Sequence, residues 1–192
     1  MKVLGLVGSH RKGGNSFLLL REALKDFKVK AEIIQLAQAN VQGCDGCGLC
    51  RESIECVIKD DFDTIFEKMK KADAMIISTP RYLPIPSKFV ALVERVASLY
   101  YFPSELNPDF KFPLEGKPVG LMVVSALGGG RALEALNELA YHIIYHWRMK
   151  LVTIDSFPYT GVIAKGMSIG EVMRDKEELE NAKKLVKKLL TY

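Results

Sequence analysis

The amino-acid sequence predicts an α/β protein: a doubly wound, five-stranded parallel sheet at the centre of a three-layer sandwich. Three observations carry that expectation. Strand-like and helix-like segments alternate along the whole chain, and the run from Val119 to Ser125 is apolar, as a strand covered on both faces requires. Unusual loops also follow the first, third and fourth strands, the edge where such sheets bind ligands.

The elements follow in order. Lys2 to Val7 reads as a buried strand, and Asn15 to Phe27 as a helix with Phe17, Leu18, Leu20 and Leu24 on its apolar side. Val29 to Leu36 alternates as a second strand. Asp60-Asp61 offers an N-cap to a helix ending near Lys71, with Phe62, Ile65, Phe66 and Met69 on one face. Ala74 to Thr79 is the third strand, Ser87 to Tyr101 a helix, Val119 to Ser125 the fourth strand and Arg131 to Trp147 another helix. Leu151 to Ile154 makes the fifth strand, and a last helix runs from about Ile169 to Leu190. Right-handed crossovers leave few arrangements for these pieces, and the flavodoxin-like strand order is the one expected.

Composition narrows the class. The chain has 192 residues, 48% hydrophobic and 26% charged, with no repeat, low-complexity tract or linker, so one domain over residues 1–192 is expected. Against 23 acidic residues, 27 Lys and Arg give a formal charge of +4, and the lysines are dispersed, which argues against a nucleic-acid partner. From Glu171 to Lys188 both signs mix at helical spacing, as on a solvated helix face. The first residues lack a signal-peptide core, and no apolar run approaches the roughly 20 residues needed to span a bilayer. A soluble, cytoplasmic protein is expected, without a membrane partner.

The loop Gly8-Ser9-His10-Arg11-Lys12-Gly13-Gly14-Asn15-Ser16 combines flexible backbone, hydroxyls, two cations and a helix start, all suited to a phosphate. It lacks the Lys-Ser/Thr of a Walker loop and the three spaced glycines of a dinucleotide fingerprint, which leaves a single terminal phosphate. A plain Gly-rich turn with Asn15 or Ser16 as helix cap is the alternative. After the third strand, Thr79-Pro80-Arg81-Tyr82-Leu83-Pro84-Ile85-Pro86-Ser87 carries three prolines in seven residues, a stiff wall in which Tyr82 offers a flat face to a planar ring. After the fourth, Ser125-Ala126-Leu127-Gly128-Gly129-Gly130-Arg131 permits positive φ and close backbone approach, so amides there can meet ring carbonyls. Together the three loops read as a flavin mononucleotide (FMN) site.

All four cysteines, Cys44, Cys47, Cys50 and Cys56, fall in an insertion at about 40–58, which excludes a distributed disulfide framework. Three thiolates at spacings of three, with Cys56 as a fourth, can converge on a [4Fe–4S] cluster. Structural zinc fits this compact run less well, and thiol redox chemistry without metal stays open. His142 and His146 lie four apart on a helix and could share a metal ion, but neighbouring Tyr141, Ile144 and Tyr145 favour a packed or subunit-facing helix.

The segments GSHRKGGNS, TPRYLPIPS followed by Glu94-Arg95, and CDGCGLCRESIECVIKDDF resemble the iron–sulfur flavoproteins within the NADPH-dependent FMN reductase family, over nearly the whole chain. The resemblance implies an FMN phosphate held at Ser9, Arg11, Asn15 and Ser16, with Pro80, Tyr82 and Leu83 beside the ring. It further implies a [4Fe–4S] cluster on Cys44, Cys47, Cys50 and Cys56, and a homodimer or homotetramer that brings cluster and flavin together. Lys12, Gly14, Arg81, Ser125, Gly128 and Gly129 complete the expected cofactor site. Val90 departs from the Lys often found in relatives, at the pocket edge. The expected function is electron transfer between flavin and cluster, with a ferredoxin or small molecule as acceptor and NAD(P)H as a possible substrate. The alternatives are an NAD(P)H-dependent FMN or quinone reductase without a cluster, and a thiol or cluster redox sensor.

Overall fold

Side chains alternate across a strand, so each strand of this chain feeds two cores. In the computed structural model, which describes residues 1–83, 85–154 and 160–192, β1 (Lys2–Val7) sends Leu4 and Leu6 to one face and Val3 and Val7 to the other. Four further strands, β2 (Lys30–Gln35), β3 (Ala74–Pro80), β4 (Pro118–Ser125) and β5 (Lys150–Val152), join it in the order β2-β1-β3-β4-β5. Every pairing is parallel, as the sequence predicts for this fold.

Helices cover both faces. α1 (Asn15–Leu24) and α5 (Lys176–Leu189) pack Leu19, Leu20, Leu185 and Val186 against Val3, Val7, Ile76 and Val124. On the opposite face, α2 (Phe62–Lys71), α3 (Ser87–Leu106) and α4 (Gly130–Tyr141) bury Phe66, Phe89, Leu92 and Leu136 against Leu4, Leu6, Ile77 and Leu121. Each fully buried side chain of this kind contributes about 1.5–3 kcal/mol. Among the described residues no helix is long and apolar enough to cross a membrane.

One strand escaped the sequence reading. β6 (Val162–Lys165) pairs in parallel with Met122–Ser125, just beyond the Pro118–Gly120 segment of β4 that β5 occupies. Two short strands thus fill the fifth position in succession, and four residues were too few to display a period.

The helix ends also differ, each for a local reason. α1 stops at Leu24 rather than Phe27, where Phe27 N–H turns back to Leu24 O. α3 runs past Tyr101 and carries Pro103 in its last turns, a residue that on sequence grounds ends a helix. α4 gives way at His142–His146 to a π-helical turn, in which Trp147 N–H bonds His142 O five residues back. There His142 Nε2 lies 3.0 Å from Glu138 Oε1, and His146 Nδ1 2.6 Å from the Tyr101 hydroxyl, so both rings have protein partners. The segment before α5 is a 3-10 turn at Glu171–Arg174, and Asp175 then caps α5 through Glu178 N–H at 3.5 Å. At α2 the expected cap is divided: Asp60 Oδ1 accepts Phe62 N–H at 2.9 Å, while the Asp61 carboxylate turns away to Asn40 N–H at 2.8 Å.

Candidate functional site

The loop leaving β1 is braced from beneath and from the side. Gly8 N–H bonds Ser78 O at 2.9 Å, buried Ser9 accepts Arg11 N–H at 3.0 Å, and Gly13, at a φ of 65°, donates to Gln35 Oε1 at 2.7 Å. Asn15 engages both ends of its carboxamide with one distant segment: Nδ2 donates to Ser168 O and Oδ1 accepts from Gly170 N–H, each at 2.8 Å. Ser16 is buried, and its carbonyl accepts from the Ser78 hydroxyl at 2.8 Å. With its carboxamide engaged in this way, Asn15 is left with its backbone N–H to offer an anion.

That N–H is well placed for it. Gly14 occupies the N-cap of α1 with no side-chain cap, and Leu18 N–H to Gly14 O is the first bond of the ladder, so the amides of residues 15–17 precede it. Arg11 and Lys12 are exposed at this helix start, Arg11 with Nη1 3.4 Å from Met167 O. An uncapped helix N-terminus flanked by two cations fits a phosphate.

The next two loops emerge side by side, since Pro80 of β3 pairs with Val124 of β4. Arg81 N–H bonds Val124 O at 2.8 Å, while its Nε is buried without a partner among the described residues. Tyr82 is 58% exposed and Leu83 80% exposed, the latter with a φ of 59° that a leucine rarely adopts. Pro84 of this loop lies outside the described residues. Ser125, the last residue of β4, is buried, and beyond it Leu127 is 84% exposed and Gly128 and Gly129 take φ values of 61° and 72°. Gly129 caps α4 without a side-chain bond, which leaves a second set of free helix amides. Exposed apolar side chains, an orphaned guanidinium nitrogen and free amides at adjacent strand ends fit a ring with an apolar body and polar edges. His10 spans the first two loops, 3.5 Å from Ser87 Oγ and edge-on to Tyr82.

The cysteine loop leaves β2 and returns at α2, and its base is tied shut. Asp61 N–H bonds Asn40 O at 3.0 Å, Asp60 Oδ2 accepts Gln42 N–H at 2.8 Å, and Arg95 Nη2 donates to Ile58 O at 2.9 Å. Lys88 Nζ holds the strand exit through Leu36 O and Ala39 O. Burial pushes the Asp60 carboxyl up, but hydrogen bonds from Arg95, Gln42 and Phe62 outweigh it and leave its pKa below the ordinary carboxylate value. Farther out, Arg51 pairs with Glu105 at 3.2 Å and covers the Phe102 ring, laying the loop along α3.

All four thiols are free: Cys50 buried, Cys44 and Cys56 half-buried, Cys47 exposed. Two are brought onto one residue, Cys44 Sγ lying 3.3 Å from Ser98 Oγ and Cys50 Sγ 3.7 Å from Ser98 O. Burial, reinforced by repulsion from Cys56, Cys44 and Cys47, pushes the Cys50 thiol up. Among the described residues no three of His, Cys, Asp and Glu are gathered tightly enough to hold a single metal ion.

Sequence reasoning missed Ser98, Lys88 and the Asp60 clamp. The available signal was the spacing of Glu94, Ser98, Phe102 and Glu105, one stripe of α3. It also missed a groove of about 720 Å³ bounded by Tyr82 and Leu83, by Ser87 to Glu94 of α3, and by Val41 and Gly43, which joins the second loop to the cysteine loop.

The family model for NADPH-dependent FMN reductases matches residues 1–157. The chain belongs to that family. This FMN reductase family member is 31% identical to an iron–sulfur flavoprotein of Methanocaldococcus jannaschii over 98% of its own length and 95% of the relative's. It is 37% identical to the iron–sulfur flavoprotein of Methanosarcina thermophila over 77% of its length and 72% of that protein's. The fold resembles the Trp repressor binding protein of Bacillus subtilis, with a TM-score of 0.69 and 21% identity across 96% of this chain and 97% of the other. Membership makes the protein a flavin-dependent oxidoreductase whose flavin is FMN.

Proposed function

We propose that this oxidoreductase couples FMN to a [4Fe–4S] cluster ligated by Cys44, Cys47, Cys50 and Cys56, and so transfers electrons between a two-electron and a one-electron partner. The observation that carries the reading is a set of four free thiols on one braced loop, joined by the α3 groove to Tyr82 and Leu83. The donor set is the chemistry such a cluster takes, and two relatives bear the name iron–sulfur flavoprotein.

When bound, the flavin supplies two-electron chemistry and the cluster one-electron chemistry. The chain binds and orients. The α1 amides and Arg11 hold the phosphate; Tyr82, Leu83 and Leu127 shield the ring from water; and the Gly128 and Gly129 amides meet its carbonyl edge. Arg95 and Asp60 fix both ends of the cysteine loop, and α3 supports its middle.

Anaerobic reconstitution followed by assay of FMN, iron and acid-labile sulfide tests this. One FMN and about four irons and four sulfides per chain are expected. FMN with no stoichiometric iron and sulfide would replace the reading with a reductase that works by flavin alone.

A further inference from the structure

Cys44 differs from the other three cysteines in what surrounds its sulfur. Gly46 N–H points at it from 3.4 Å within the loop, and Ser98 Oγ approaches from α3 at 3.3 Å. The same hydroxyl lies 3.0 Å from Glu94 O, one helical turn back. Glu94 also reaches the loop, its Oε2 accepting Cys44 N–H at 3.3 Å, so backbone and sulfur of Cys44 are both held by one face of α3.

The hydroxyl has one proton and two acceptors in reach. Beside a Cys44 thiol, the S–H can donate to Ser98 Oγ while the hydroxyl donates to Glu94 O. A metal-bound thiolate has no proton and only accepts. The serine proton then turns to the sulfur, at little cost, because Glu94 O keeps its bond to the Ser98 N–H in the helix ladder. Ser98 O, an acceptor only, offers Cys50 no such exchange.

We propose that Ser98 is a positioning residue that donates a hydrogen bond to the Cys44 sulfur and raises the reduction potential of the metal centre there. The inference rests on the cluster reading above. Reduction adds one electron and one negative charge to the cluster, with no bond made or broken, and donors to its sulfurs stabilise the more negative member of the couple. Removing the donor shifts the potential downward.

The test uses the reconstituted wild type, S98A and S98T, each assayed for iron and sulfide and then titrated potentiometrically with EPR detection. S98A is expected to keep its cluster and to titrate at a more negative potential, and S98T, which retains a hydroxyl, to return toward the wild-type value. Loss of iron from S98A with retention in S98T equally supports a role for the hydroxyl. An unmoved potential in a fully loaded S98A overturns the inference, as do equal shifts, or equal loss of iron, in both variants. A wild type that binds FMN but no iron and sulfide removes the cluster reading itself, a result distinct from all of these.

Discussion

Arg95 Nη1 donates to both carboxylate oxygens of Asp60 at 2.7 Å, with neither side chain exposed to solvent. The guanidinium also stacks 4.0 Å from the Phe62 ring. Truncating one partner strands a buried charge, so Arg95→Leu is expected to destabilise the fold by about 3–5 kcal/mol. Urea denaturation measures this, and a loss under 1 kcal/mol would refute the clamp.

Acid should act through the same pair. The Asp60 pKa is depressed in the folded state, so its contribution is present above the unfolded carboxylate value of about 3.9 and is lost as pH falls through the lower folded value. Denaturation midpoints should decline below about pH 4. Asp60→Asn, less stable at pH 7, should show a shallower decline, and parallel pH profiles would contradict this assignment.

Arg11 should act on the phosphate alone. A charge-assisted bond is worth about 1.5–3 kcal/mol, so Arg11→Ala is expected to raise the FMN dissociation constant about 10- to 100-fold. Binding of riboflavin, which lacks the phosphate, should stay the same. Flavin fluorescence titration compares the two ligands, and equal weakening of both would place Arg11 elsewhere.

Gly166 has no room for a side chain: a Cβ there would lie 2.6 Å from Asn15 Nδ2. Gly166→Ala should dislodge the Asn15 carboxamide from Ser168 and Gly170, lowering stability by about 1–3 kcal/mol and FMN affinity with it. Calorimetry and flavin titration on one sample would test whether the two losses travel together.

Leu83 combines left-handed backbone with near-complete exposure, two costs at one residue. Leu83→Asn, which tolerates that backbone, should raise the stability of the flavin-free protein by about 1 kcal/mol while weakening FMN binding. Tighter flavin binding by the variant would show that the leucine does not serve the ring.

The strand order and both cores were legible because apolar runs such as Val119 to Ser125 carry their burial in their composition. Loop positions followed from the strands. Asn15 read as an anion ligand from its place at a helix start, but the sequence held no sign that Ser168 and Gly170, more than 150 residues on, would take its carboxamide and leave its backbone N–H for that task. Asp61 likewise read as a helix cap until a backbone partner across the loop, Asn40, proved available. Ser98 stayed hidden because a serine in an apolar helix advertises nothing until a neighbouring loop folds onto it.

The family match ends at residue 157, whereas β6, the Ser168–Gly170 anchor of Asn15 and α5 all lie beyond it. A fragment cut at that residue would keep every residue expected to touch the cofactors. It would also leave the phosphate loop unsupported and leave α1 alone to cover the face of the sheet on which Leu185 and Val186 pack. The last 35 residues are therefore scaffold for the first 16, and the two ends of the chain should protect each other from hydrogen exchange as one unit.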